Sequence, residues 1–424
     1  MRCRSGLVSA LLLSVASAAA QPAAPPLSMA EAIGRAVNQH PDLAAIEANI
    51  AAVAARVPIE RGLPPPMVEL QVWQWPFNRW KPTDAQWMVM LEQELPGKGK
   101  RDLRVTRARA EVAVAGVEVA RHHLEMATQA VERYLDLRIA RDTQARIAEA
   151  EAIVRQGIDA AELRYAAGSG AQQDVLMGVV ELARLADERL MAEEAERMAA
   201  VQLNSLMHRP PDAPIGPLDP ARTDAGMAFP AEPDVTARVT GWHPDLAAVE
   251  RETERAVAER NLGLAERKPD YVVQGGLMAM PSMTDAFTAR VGFSWPNAPW
   301  ARHRVNEMLK SADAAILAAT AQRESATVRI RQEVAEQLVT AQSAERRRAL
   351  LADSVLPALQ HALEIARIDY AAGRSAFTPL LELTRRLNEA ALDIIRVRAD
   401  RDRALTTLDV LTGDLTGQSH VESR

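Results

Sequence analysis

The sequence predicts a mainly α-helical protein with a small β part, built as two copies of one unit. Composition is the first sign: 48% of the 424 residues are hydrophobic and 25% charged, but only 4% are aromatic. Ala, Arg, Glu and Leu dominate, the mixture that favours long helices. Proline placement is the second. None occurs from Gly97 to Arg209, and after Pro299 only Pro357 and Pro379 remain. Because proline inside a helix costs about 3 kcal/mol, the empty stretches are where long helices can run. The third is repetition. HPDLAAIE at His40 returns as HPDLAAVE at His243, LRYAAGSGAQQDVL at Leu163 as IDYAAGRSAFTPLL at Ile368, and LNSLMHR at Leu203 as LDVLTGD at Leu408. These matches are colinear and share one spacing of roughly 200 residues, more than generic Ala-rich helices would produce.

Taken in order, residues 1–20 carry Arg2 and Arg4, an apolar run and a small-residue site at Ala18-Ala19-Ala20, which reads as a secretory signal peptide. Cys3, the single cysteine, falls inside it, so a mature chain has no thiol. Ser28-Met29-Ala30-Glu31 opens the first helix as a capping box, and His40-Pro41 ends it. The expected organisation is a signal peptide at 1–20 and a first repeat at 21–209, with a hairpin at about 67–95 and a long helix pair. A Pro-rich linker at 210–235 follows, then a second repeat at 236–413 with a hairpin at about 270–295, and a tail at 414–424. From Gly97 to about Ala167 a helix would span roughly 105 Å at 1.5 Å per residue. Apolar Val112, Val119, Leu124, Val131, Leu135 and Ile139 recur there at helical spacings, as in a coiled-coil-like helix packed on neighbours.

Each copy holds one non-helical island. Val68, Leu70 and Val72, then Trp87, Val89 and Leu91, alternate with other residues in the first. Tyr271 and Val273, then Phe287, Ala289, Val291, Phe293 and Trp295, do so in the second. Period-two alternation over about ten residues suits a tilted membrane strand. Trp73, Trp75, Trp80, Trp87, Trp295 and Trp300 all fall in or beside the islands, as an interfacial girdle requires, with Trp73, Trp75, Trp87 and Trp295 its expected members. Four strands cannot close a barrel, and open edges are intolerable in lipid, so oligomerisation is expected; three chains would supply twelve strands. A soluble four-stranded sheet is the alternative, and it leaves signal peptide, tryptophans and long helices unrelated.

Signal peptide, LSMAEAIGRAVNQHPDL, hairpin, long helix pair and YAAG motif, all then repeated, resemble the TolC-type outer-membrane efflux protein family across the whole mature chain. The resemblance implies a homotrimer: a twelve-stranded transmembrane β-barrel in the outer membrane, continued by an α-helical barrel into the periplasm. It implies docking on a periplasmic adaptor (membrane fusion protein) and an inner-membrane efflux pump, with passive conduction of substrates. QELPGKGKR and GGLMAMPSMTDAF resemble the heavy-metal efflux branch, which implies metal resistance. Three departures stand out: no lipoprotein cysteine follows the signal, Pro379 stands where the first repeat has Asp174, and the expected extracellular loops are short. The competing reading is a periplasmic coiled-coil adaptor or secretion-system structural protein without a membrane barrel.

No catalytic residues and no cofactor are expected, since nucleophile-elbow, zinc-protease and phosphate-loop motifs are all missing from the sequence. Net charge of −6 argues against nucleic acid as partner. His122-His123 reads as solvated, because adjacent helical residues diverge by about 100° and cannot easily chelate one ion. Met278, Met280 and Met283 are candidate soft-metal ligands, with packing as the ordinary reading. Lys98, Lys100 and Arg101, with Arg302, His303 and Arg304, suggest a basic collar at lipid-phosphate level. Tyr165, Gly168 and Ser169, and Tyr370, Gly373 and Ser375, mark the two far turns: glycines as left-handed caps, serines as caps of the next helix. By resemblance these turns are the periplasmic tip, where the adaptor docks. Asp174 and Glu382, expected in the first turns after the caps, are the gate candidates.

Overall fold

A computed structural model of the chain describes residues 25–75, 77–78, 81–220, 229–280 and 284–414. The expected signal segment, Trp80 and Met283 lie outside them. The first half runs α1 (Met29–Gln39), α2 (Pro41–Ala54), α3 (Arg56–Arg61), β1 (Met67–Gln74), β2 (Gln86–Leu95), α4 (Lys100–Ala166) and α5 (Gln172–Leu206). The second runs α6 (Glu232–Trp242), α7 (Pro244–Ala265), β3 (Tyr271–Ala279), β4 (Ala286–Phe293), α8 (Arg302–Leu350), α9 (Leu356–Ala371) and α10 (Phe377–Leu411). The order of short helices, hairpin and long helix pair is the same twice over, with α7 in the place of α2 and α3. Helix α6 starts before the end of the segment read as linker; Pro233 sits in its first turn, where no N–H is needed.

Helix α4 has 67 residues, about 100 Å. Its counterpart is α8 continued by α9, interrupted by a five-residue π-turn at Leu351–Val355. Pro357 lies just beyond, and its missing N–H forfeits one bond to the preceding turn, which the widened turn absorbs. Pro379 is the third residue of α10 and so is tolerated.

The long helices pack with a seven-residue period. Gly178, Leu185, Ala192 and Ala199 are buried along α5, and Val305, Ala312, Ala319 and Ala326 along α8. Such a repeat keeps one seam on the partner, and its small residues let backbones approach closely. On α10 the row is Leu380, Leu387, Ile394, Arg401 and Leu408, so a guanidinium occupies a core position. Arg401 is paired there with Asp402 at 2.9 Å and Glu345 at 2.9 Å, and Arg138 of α4 reaches Asp402 at 2.6 Å. Near the start of the chain, Ile33, Val37, Tyr134, Leu203 and Met207 form one core cluster. The Tyr134 hydroxyl donates to the Leu27 carbonyl and accepts from the Asp219 amide, tying the Pro-rich segment to α4.

Both HPD turns are built alike. His40 and His243 each stand at the N-cap, with Nδ1 accepting the amide of Asp42 and Asp245, and proline following at the first helical position. His122 is buried on α4, its ring 5.6 Å from that of His40, which corrects the solvated reading. Burial and the neighbouring His122 push the His123 pKa down.

The four strands form one antiparallel sheet in the order β1-β2-β3-β4, and the outer edges of β1 and β4 carry no strand partner among the described residues. Register puts Val68, Leu91, Gly275 and Ala289 in one row, and Leu70, Val89, Leu277 and Phe287 in the next. That face is apolar. The other holds Glu69, Met90, Gly276 and Thr288, then Gln71, Met88, Met278 and Ala286. No described helix is long and apolar enough to cross a membrane.

Candidate functional site

The far ends of the long helices hold the first site. Helices α4 and α9 end in the same cap, because glycine alone relaxes into positive φ without a Cβ penalty: Gly168 has φ 70° and Gly373 φ 74°. The Ser169 and Arg374 amides return to the Arg164 and Asp369 carbonyls, closing each turn. Neither serine caps the next helix. Ser169 Oγ donates to the Arg164 carbonyl and Ser375 Oγ to the Ala376 carbonyl, while the N-caps of α5 and α10 are Ala171 and Ala376, which offer no side-chain cap. Ser169 stands two residues and Ser375 one residue before those N-caps, so neither occupies the capping position.

Arg164 clamps the two turns together. It donates to the Tyr370 carbonyl at 2.8 Å and the Ser169 carbonyl at 3.0 Å, and its guanidinium lies 4.5 Å over the Tyr370 ring. Tyr370 is buried against Phe377, with ring centroids 5.1 Å apart, and its hydroxyl donates to Asp174 at 3.1 Å. Burial and the adjacent Asp174 carboxylate push the hydroxyl pKa up to about 12, so it stays a donor. Tyr165 does not repeat this arrangement; half its surface is exposed. The sequence explains why, since the residue matching Phe377 in the first repeat is Gln172, which offers no apolar wall.

Glu382 lies in the second turn of α10, not the first, and pairs on the surface with Arg386 at 2.8 Å. The carboxylate that the fold draws inward is Glu181 of α5, 1% exposed and held by Arg184 and by Arg385 of α10. Burial alone would raise its pKa, but those bonds hold it below the usual carboxylate range. Nothing in local sequence marks Glu181, because its partner Arg385 is 204 residues away. Beside the turns, Leu163, Tyr165, Leu176, Ile365 and Ile368 are exposed.

The second site is the sheet. A bulge leaves Trp73 without a partner between the pairs Val72–Trp87 and Gln74–Gln86. Beyond it Trp75 and Trp87 meet at 6.5 Å near the hairpin end, while Trp295 and Trp300 meet edge-on at 6.0 Å near the helices. Two aromatic levels thus bound the apolar face. At the helix end, Lys100 is not part of an exposed collar: it is fully buried and bridges Glu266 at 3.0 Å and Asp270 at 2.7 Å. Burial favours a higher Asp270 pKa, but Lys100 and the Gly97 amide hold it low. Lys98, Arg101, Arg302, His303 and Arg304 remain exposed. Met278 sits in β3 and Met280 just past its end. Among the described residues no group of three His, Cys, Asp or Glu could hold a metal ion.

Comparison with known proteins agrees with this geometry. Residues 239–414 match the family model described as outer membrane efflux protein. Among solved structures, the fold is similar to the outer-membrane channel OprN, with TM-score 0.75 and 19% identity over 91% of this chain and 89% of that one. It is similar to the outer membrane protein VceC of Vibrio cholerae, with TM-score 0.73 and 18% identity over 91% and 96%. CusC gives TM-score 0.74 and 14% identity over 91% of each chain. No curated protein matches the sequence. Residues 239–414 thus carry the pattern of the outer membrane efflux protein family, and nearly the whole chain has the fold of outer-membrane channels.

Proposed function

We propose that three copies of the chain close a twelve-stranded barrel in the outer membrane and continue it with long helices into the periplasm, forming the passive duct of a tripartite efflux system. The observation that carries this reading is the sheet: one face apolar, bounded by tryptophans, with both outer edges open. In lipid, edge amides without partners cost several kcal/mol each, and ring closure by identical chains satisfies all of them. The non-enzymatic reading rests on the likeness to outer membrane efflux proteins; the adaptor alternative is not favoured, because it has no use for such a sheet. The tip turns, with exposed Leu163, Tyr165, Leu176, Ile365 and Ile368 beside them, are the docking surface for a periplasmic adaptor that delivers cargo from an inner-membrane pump. The Arg164–Tyr370–Asp174 linkage holds the tip closed.

The test is direct. Outer-membrane extracts should yield a trimer that resists unheated detergent and conducts ions in planar bilayers. A soluble periplasmic monomer without conductance would overturn the duct.

A further inference from the structure

We propose that the face of the sheet turned away from lipid carries a thioether site for soft monovalent cations, Cu(I) or Ag(I), built from Met88, Met90 and Met278. The proposal rests on the duct reading, which makes this face the wall of the lumen. A water-filled lumen is ordinarily polar, and Glu69, Gln71, Glu92 and Gln274 fit that expectation. Methionine does not. Yet Met88 on β2 stands directly opposite Met278 on β3, and Met90 follows on the same face of β2. Directly opposed residues hold their Cβ atoms about 5 Å apart, well within reach of two flexible thioether chains.

Gly276 completes the arrangement. It is the cross-strand partner of Met90, and a β-carbon there would come 2.5 Å from Met90 Sδ. Met90 therefore lays its sulfur across β3, beside the row in which Met88 and Met278 meet. Met88 and Met90 are both buried, while Val89 and Leu91 on the opposite face are exposed. The sulfurs are thus partly withdrawn from water, which disfavours strongly hydrated ions. Thioether sulfur is a neutral, soft donor that selects Cu(I) over Mg or Ca and needs no deprotonation. Glu69, opposite Met90, adds negative charge beside the site, and Arg290 is set one row further on with Glu92 and Gln274. Neutral donors repeated three times round a pore would bind a cation well enough to enter and weakly enough to leave, as conduction requires.

Silver ion in chloride-free buffer is the probe, titrated calorimetrically into the detergent-solubilised protein. The expected result is one silver per chain. Met88→Leu combined with Met278→Leu keeps the volume and should weaken binding about tenfold or more. Met126→Leu, buried among the helices, should bind like wild type. A readout without substitution is peroxide oxidation: bound silver should shield Met88, Met90 and Met278 from sulfoxide formation while the more exposed Met308 oxidises as before. Equal binding by wild type and the double variant, or no shielding, overturns the site. Bilayer conductance of the same preparation separates the two readings, since a conducting trimer indifferent to silver removes only this inference.

Discussion

Tyr370 and Asp174 are 196 residues apart in sequence, yet the tyrosine hydroxyl donates to the carboxylate at 3.1 Å and joins the end of α9 to the first turn of α5. The two helix hairpins are therefore latched to each other at their tips. Tyr370→Phe keeps the ring under Arg164 and removes only the latch. A bond to a charged acceptor at a half-buried site contributes about 1.5 kcal/mol, so the ratio of open to closed states should rise roughly tenfold. Asp174→Asn should do less, and Glu382→Ala, which loses a surface pair, almost nothing. Single-channel recordings in planar bilayers decide; unchanged open probability in Tyr370→Phe would detach the latch from gating.

Asp402 binds two arginines, Arg138 at 2.6 Å and Arg401 at 2.9 Å, in a setting where Arg401 and Asp402 are almost wholly buried. Asp402→Ala takes from Arg138 its 2.6 Å carboxylate partner and leaves Arg401 its pair with Glu345. The expected loss is about 3–5 kcal/mol of stability. Helix melting followed by circular dichroism checks it, and a transition at the wild-type temperature would contradict it.

Lys100 joins the start of α4 to Glu266 and Asp270 at the foot of the sheet. Both carboxylates are partly exposed, so Lys100→Met should cost about 2 kcal/mol rather than the full buried-pair value. The lesion lies where strands meet helices, and it should appear as a lower yield of heat-resistant trimer in membrane extracts. Normal yield would show the bridge to be dispensable.

His243 gives a pH dependence with a definite sign. Burial, with Arg121 and Arg329 adding to it, holds its pKa below the ordinary 6.5 against the opposing pull of Asp245. The folded state thus binds its proton less readily than the unfolded chain. This contribution is complete above pH 6.5 and is lost as pH falls through the folded value. His243→Asn can still accept the Asp245 amide as an N-cap but does not titrate. Its stability profile should therefore be flatter below pH 6.5, as read by denaturant melts across that range; a profile as steep as wild type would count against the assignment.

Much of the fold could be read from the chain because its signals are periodic. Proline-free stretches became α4, α5 and α8, alternation became four strands, and duplication placed them. What escaped was set by contacts between the copies. Duplication made Tyr165 and Tyr370 look equivalent, but only Tyr370 has Phe377 and Asp174 beside it. Arg401 and Glu181 look like ordinary surface charges on charged helices, and only the packing of α10 against its neighbours puts them inside. Lys100 read as collar charge because Glu266 and Asp270 are far away in sequence. His40-Pro41 reads in sequence only as a helix end; a proline at the first helical position with a side-chain acceptor before it is the signal that marks a cap as well.

If three copies close the barrel as proposed, the outer edges of β1 and β4 also have a genetic consequence. Every seam of a three-chain ring needs one sound β1 edge and one sound β4 edge, each from a different copy. A chain that folds its helices but carries a spoiled edge still enters the ring and disables the whole of it. Co-expressed in equal amount with wild type, such a chain would leave roughly one ring in eight composed of intact copies alone. Edge lesions should accordingly behave as dominant, whereas lesions that stop the helices from forming remove the chain from the pool and should be recessive.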